Sequence, residues 1–191
     1  MSWYEILLFV HIAAVTLWLG GAAMIQFFAL RALPAGAERT AVLAADVEAI
    51  GLRVLTPASL VVLVAGIGLV LDGPWSFGDD WIVIALALFA LTFLAGFLFF
   101  GPESGRIAKA VEAHGIDSAE AQGRIRRILV LSRLDLILLF LIAYVMVVKP
   151  EFGDAGAIAL GLGVAVAGAA LVLWRWLSGG ARGAVAAAPA D

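Results

Sequence analysis

The sequence contains no cysteine. Disulfides, thiolate zinc sites, iron–sulfur clusters and covalently attached c-type haem all need cysteine sulfur and are therefore excluded. Charge is also scarce, because Asp, Glu, Lys and Arg make up 14% of the residues, against about a quarter in a soluble domain. The 12 basic residues do not outnumber the 15 acidic ones. This balance argues against a nucleic-acid-binding protein, which carries a basic surface.

Hydrophobic residues account for 64% of the 191 residues. Five stretches are long enough to cross about 30 Å of hydrocarbon at about 1.5 Å per residue: residues 6–30, 54–71, 81–101, 128–148 and 155–174. An isolated hydrophobic run in lipid must satisfy its own backbone hydrogen bonds, so each run is expected to be a helix. The sequence predicts an all-α membrane bundle of five transmembrane helices, a four-helix core plus a C-terminal fifth. It forms one domain over residues 1–178, followed by a disordered cytoplasmic tail over residues 179–191.

Basic residues lie almost entirely at one end of these helices. Lys149 lies at the other end, opposite Arg31, Arg39, Arg53, Arg106, Lys109, Arg124, Arg126, Arg127, Arg133, Arg175 and Arg182. The positive-inside rule then places the N-terminus outside and the C-terminus in the cytoplasm. Aromatic residues suited to the two membrane interfaces flank the spans, namely Trp3, Tyr4, Trp75 and Trp81 outside and Trp174 and Trp176 inside. We expect a multi-pass protein of the bacterial inner membrane, surrounded by lipid. The sequence is compatible with a monomer and with a homo-oligomer.

Two polar segments beside the spans are also expected to be helical. Residues 38–53 place apolar side chains among charges, so the second span should begin as a helix below the membrane. Residues 117–120 combine an N-cap with an acidic first turn, so the fourth helix should start near them. The glycines inside the spans are expected mostly to be positions of close helix packing, namely Gly66, Gly68, Gly161, Gly163 and Gly168.

His11 is the first candidate functional residue, because an ionisable group in hydrocarbon is costly unless it has a partner. It lies five residues past Ile6, roughly 7 Å inside the outer edge at helical rise, and Trp18 shares its helix face. The imidazole is a candidate ligand of haem iron or of a metal. A histidine hydrogen-bonded to a neighbouring span is the alternative, and the residue alone leaves both open.

The residues that would surround a haem at His11 can be predicted from their depth in the membrane. Tyr144 and Met146 in the fourth span lie at the same level, and Gly21 belongs to a run of small residues that admits a flat ligand. Gly66 and Gly68 of the second span are possible flat neighbours. His114 lies in a cytoplasmic connection and cannot reach this layer. The predicted site for b-type haem is therefore His11, Trp18, Gly21, Tyr144 and Met146.

A second polar group lies in the inner half of the spans. Arg133 and Asp135 are roughly 7 to 10 Å inside the inner edge of the fourth span, level with Arg53, Thr56 and Ser59 of the second. Residues two apart on a helix do not face each other, so Asp135 is expected to pair with another helix, for instance through Arg53. A buried ion pair that joins helices and a proton or substrate path are the two interpretations of this layer.

Three short motifs resemble one family. The run from His11 to Gly21, His-Ile-Ala-Ala-Val-Thr-Leu-Trp-Leu-Gly-Gly, resembles the first helix of the copper-resistance-D-like (CopD-like) superfamily, which includes the haem-associated, HemJ-type protoporphyrinogen oxidases. Arg53-Val54-Leu55-Thr56-Pro57-Ala58 is similar to the opening of its second helix, and Val147-Val148-Lys149-Pro150 to the close of its fourth. The resemblance covers about residues 6–150. It implies a four-helix core with a haem near the first-helix histidine, here His11.

The chain also departs from these relatives. The oxidases carry an arginine and a histidine at the end of the first helix, where this chain has Met24-Ile25-Gln26-Phe27-Phe28, and a lysine in the third helix, which residues 81–101 lack. These losses argue against porphyrinogen oxidation. Copper transport is poorly supported because soft Cu(I) sites favour Met or Cys, and three methionines are present. An uncharacterised branch of the superfamily, of the predicted-integral-membrane-protein kind, fits better.

The sequence therefore predicts a membrane protein that holds b-type haem through His11 in a redox or accessory role, with no enzymatic reaction assigned. A transporter or channel-like carrier of a small solute or metal ion, working through the inner polar layer, is the alternative. A structural membrane partner without a ligand is the third hypothesis.

Overall fold

The computed structural model describes residues 1–186, and within that range the chain is helical with no strand. Its α-helices are α1 (Trp3–Ala32), α2 (Ala37–Ile50), α3 (Thr56–Asp72), α4 (Asp80–Ala95), α5 (Gly101–His114), α6 (Ala119–Val148) and α7 (Ala155–Ala186). Five helical segments are long and apolar enough to cross a membrane, namely Trp3–Ala32, Asp46–Asp72, Asp80–His114, Ala119–Val148 and Ala155–Ser178. The prediction of an all-α bundle with five spanning helices is confirmed.

Two of these segments contain a stretch of π-helix just before a proline. Gly51–Leu55 joins α2 to α3, and Gly96–Phe100 joins α4 to α5. The N–H groups of Thr56 and Gly101 donate to carbonyls five residues back, and each of these residues precedes a proline. A proline ring clashes with the carbonyl four residues back, and the wider π turn relieves that clash. The helix is therefore unbroken, which confirms that the second span begins in a preceding polar helix.

Four helices build the core and the last one packs outside it. α1 contacts α3 and α6, and α6 contacts α4 and α7. The buried cluster takes residues from all four inner helices, namely Ala14, Val62, Phe89, Leu139 and Ile142. Large apolar side chains instead cover the outside of the bundle, where Phe97 is 74% exposed and Val147 is 82% exposed. Such a surface suits lipid rather than water.

Glycines set the close approach of the helices. A Cβ added to Gly68 would lie 3.0 Å from a methyl carbon of Leu7, so α1 packs directly on the backbone of α3. On α7, a Cβ at Gly161 would lie 2.8 Å from the Tyr144 ring, and one at Gly168 would lie 3.2 Å from Ile137. These positions confirm the packing role predicted for them. Gly163 differs, because no atom of another helix in the described chain lies within 4 Å of its would-be Cβ.

The connections hold the helix ends in place. At one end of the bundle, the Lys149 ammonium lies 3.8 Å from the ring centroid of Trp75 and 5.2 Å from that of Trp81, a cation–π arrangement that connects two loops. At the other end, the Ser118 hydroxyl accepts from the N–H of Ala121 and caps α6, as residues 117–120 predicted. α7 continues to Ala186, beyond the predicted start of the tail. Residues 187–191 lie outside the described residues.

Candidate functional site

His11 lies in α1 with its ring against α3. Its Nδ1 is 2.9 Å from the backbone carbonyl oxygen of Val62, and a Cβ added to Gly66 would lie 3.2 Å from its Cε1. Glycine at position 66 is thus what allows the ring to approach the α3 backbone. The sequence left open a hydrogen bond from His11 to a neighbouring helix, and the structure contains one.

This hydrogen bond also determines the tautomer of a neutral His11. A carbonyl oxygen can only accept, so Nδ1 must carry the proton, and Nε2 keeps its lone pair. Nε2 has no hydrogen-bond partner within residues 1–186. Metal-binding histidines commonly donate their other ring N–H to a backbone carbonyl in this way, which fixes the ring and leaves one nitrogen as the ligand. If haem were bound here, Nε2 of His11 would be the atom available to hold its iron.

The other residues predicted around a haem fall into two groups. Trp18 packs against the core cluster with its ring centroid 5.4 Å from that of Phe89, and Met146 packs against the same cluster. Tyr144 is turned toward α7, where its hydroxyl donates to the carbonyl of Ala157 at 2.9 Å. Gly21 packs on the α3 side, because a Cβ there would lie 2.7 Å from Leu55. Trp18 and Met146 therefore both contact the core cluster, whereas the Tyr144 hydroxyl bonds α7.

The expectation of flat faces at Gly66 and Gly68 is wrong. His11 itself covers Gly66, and Leu7 covers Gly68. Counting residues along the helices correctly placed Gly66 at the level of His11. The count does not show which side chain of α1 covers each glycine. Any flat ligand at His11 therefore has to lie away from the α3 backbone.

A chain of polar side chains links α1 to α6. The Gln26 amide donates to the Ser132 hydroxyl at 2.6 Å, and Arg133 Nε donates to the Gln26 amide oxygen at 3.3 Å. Gln26 is buried, with 7% of its surface exposed. The sequence analysis did not predict this role of Gln26. The available signal was its spacing, since Gln26 lies four residues after Ala22 and eight after Trp18, which both face the core.

Asp135 does not form the expected ion pair with Arg53. Its Oδ1 is buried with no hydrogen-bond partner, and it takes part in none of the salt bridges of the described chain. The reason is that Arg133 is engaged with Gln26, whereas Arg53 is exposed on the π-helical segment.

The hydroxyls at the same depth bond to their own helix. Thr56 donates to the Gly51 carbonyl at 2.9 Å, and Ser59 donates to the Thr56 carbonyl at 2.8 Å. Neither hydroxyl proton is therefore left for another helix. The five predicted polar residues, Arg53, Thr56, Ser59, Arg133 and Asp135, do not form one network.

Glu103 is a buried charge that the sequence did not indicate. Its side chain is 2% exposed, and its two carboxylate oxygens accept from Arg106 and Arg124, each at 3.1 Å. Arg124 also bonds Glu120 at 3.2 Å, so the cluster joins α5 to α6. The available signal was an acidic residue directly after Pro102 and three residues before Arg106, close to the end of an apolar run. No group of three or more His, Asp or Glu residues that could hold a metal ion occurs in the part of the chain that the structure describes.

Comparison with known proteins found one family whose model matches this chain. No curated protein and no solved structure is similar enough to this chain to count as a match. Residues 5–150 match a family described as "Predicted integral membrane protein (DUF2269)". The match confirms the expectation of an uncharacterised membrane protein of this kind, and the link to the copper-resistance-D-like superfamily stays a prediction. Because the matched region takes up most of the sequence, the chain belongs to the DUF2269 family of integral membrane proteins.

Proposed function

We propose that this protein binds b-type haem in the bacterial inner membrane through Nε2 of His11, in a redox or accessory role. The observation that supports this most is the 2.9 Å contact between His11 Nδ1 and the Val62 carbonyl. It holds the ring in one orientation and directs the proton to Nδ1, so that the ligand nitrogen is free. Histidine is a normal protein ligand of haem iron.

Val62, Trp18 and Met146 would each have a different role around a haem bound by His11. Val62 orients His11, and Trp18 and Met146 supply apolar and thioether surface from the core. Met146 is better placed than Tyr144 to approach from the fourth span, because Tyr144 would first have to break its bond to Ala157. A bound haem would supply one-electron redox chemistry, whose potential the second ligand and burial adjust.

The absorption spectrum of the detergent-purified protein tests this proposal. We expect a Soret band in the protein as isolated, or after addition of haem, with a stoichiometry of one haem per chain. A spectrum with no Soret band under both conditions would contradict the proposal. That outcome would favour a carrier or a structural membrane partner.

A carrier of a small solute or metal ion is the second candidate function. The observation that favours it is the unpartnered carboxylate oxygen of Asp135 inside the bundle, since unpaired intramembrane charges often mark transport paths. Uptake of a solute by vesicles that contain the protein, lost in the Asp135→Asn variant, would support this candidate over the haem proposal.

The proposed orientation gives a separate prediction. Because Lys149 lies at one end of the spans and the other basic residues lie at the opposite end, the positive-inside rule predicts that a reporter fused after Asp191 is cytoplasmic and that one inserted in the 72–80 turn is external. Paired enzymatic reporters that are active on opposite sides of the membrane make this measurement. A C-terminal reporter active outside would overturn the proposed topology.

A further inference from the structure

We propose that Asp135 is a proton-binding site in the inner half of the helix bundle. This inference does not depend on haem binding or on solute transport. It follows from the position of one carboxylate that the described chain leaves without a partner.

The carboxylate lies on the core side of α6. Asp135 is four residues before Leu139 and seven before Ile142, so the three share a helix face, and both apolar residues belong to the buried cluster. At helical rise, Asp135 lies roughly 10 Å from the basic end of the span at Ile128 and about 20 Å from Val148. Water at the basic end is therefore the nearer source of protons.

The polar side chains of this layer direct the hydrogen bonds they make in the described chain to partners other than Asp135. Arg133 Nε donates to Gln26, and the Gln26 amide donates to Ser132. The Ser132 hydroxyl in turn donates to the Leu129 carbonyl at 3.1 Å. The hydroxyl of the buried Thr92 on α4 donates to the Phe89 carbonyl at 3.0 Å. None of these groups neutralises a carboxylate charge at position 135.

Charged groups on the helices around α6 do not reach Asp135 either. On α1, Arg31 lies over the Phe27 ring, 5.9 Å from its centroid. On α4, the sequence has one ionisable residue, Asp80, which is at the outer end. On α5, Glu103 and Arg106 are paired with each other, and on α7 Arg175 is exposed. Arg53, on the segment before α3, is exposed as well.

An ionised carboxylate without a partner in hydrocarbon costs far more free energy than the neutral acid does. Proton binding converts the carboxylate and one proton into a carboxylic acid, with a new O–H bond at a carboxylate oxygen. Release returns the proton to water and restores the negative charge. The absence of a partner therefore favours the protonated form of Asp135. Loss of that proton would place a negative charge inside the bundle.

Infrared spectroscopy of the full-length protein in lipid measures this directly. We expect the C=O stretch of a protonated carboxylic acid, sensitive to D₂O exchange, which disappears completely in the Asp135→Asn variant. Asp117→Asn is the matched control, because Asp117 is an exposed aspartate just before the same helix. The control should keep the full band.

A band that is absent from the wild-type protein at both neutral and mildly acidic pH, or that persists in Asp135→Asn, would overturn the proposal. If Asp135→Asn does not fold, the Asp135→Glu variant provides a second measurement, because moving the carboxyl by one methylene should shift the band. A wild-type band that does not shift in Asp135→Glu would likewise contradict the assignment.

Discussion

Replacing Glu103 with alanine should destabilise the folded protein by about 2 kcal/mol. The carboxylate is almost fully buried between α5 and α6 and accepts hydrogen bonds from Arg106 and Arg124. Removing one partner of a buried ion pair typically costs 3–5 kcal/mol because the other charge is stranded. The smaller figure applies here because Arg124 is 33% exposed and retains its bond to Glu120.

Thermal unfolding in detergent, followed by circular dichroism, measures this effect. Glu112→Ala is the matched control, since Glu112 is an exposed glutamate on the same helix and forms no ion pair in the described chain. The control should unfold at the temperature of the wild-type protein. Equal unfolding temperatures for Glu103→Ala and Glu112→Ala would show that the buried cluster does not join α5 to α6.

Replacing Gly66 with leucine should displace His11 and destabilise the contact between α1 and α3. A Cβ alone would lie 3.2 Å from His11 Cε1 and 3.4 Å from Nδ1, so the ring already has to give way to a Cβ, and we expect the larger leucine side chain to displace it. The ring then has to leave the Val62 carbonyl. Overpacking of this kind costs about 1–3 kcal/mol, and under the proposed function haem binding should be lost as well.

Gly163→Leu is the control for this substitution. It places the same side chain on a membrane helix where no atom of another described helix lies within 4 Å of the new Cβ. Replacing a helical glycine there should be neutral or stabilising by up to about 1 kcal/mol. A Gly66→Leu protein as stable as Gly163→Leu, with haem binding unchanged, would contradict the packing of His11 on α3.

The helices could be predicted from the sequence because their signals are local. Runs of apolar residues longer than a bilayer, Ser118 before an acidic turn, and glycines within the spans each act through neighbouring residues or through contact with a backbone. The helix that precedes the second span followed from residues 38–53 in the same way.

The partners of polar side chains could not be predicted, because depth along a helix does not give its rotation. Asp135 and Arg53 lie at one level, yet Arg53 is exposed and Arg133 bonds Gln26 instead. His11 bonds a backbone carbonyl, and every residue of α3 has one, so the sequence cannot single out Val62. Glu103 was missed because two long arginine side chains cover it from separate positions on α5 and α6.

The haem content of two histidine variants tests the central claim most directly. His11 and His114 are the two histidines of the chain, and His114 lies at the end of α5, 3.7 Å from a Glu120 carboxylate oxygen. His11→Ala should abolish the Soret band while the protein still elutes as a single folded species, and His114→Ala should keep one haem per chain. Full haem content in His11→Ala would contradict the assignment of His11 as the ligand.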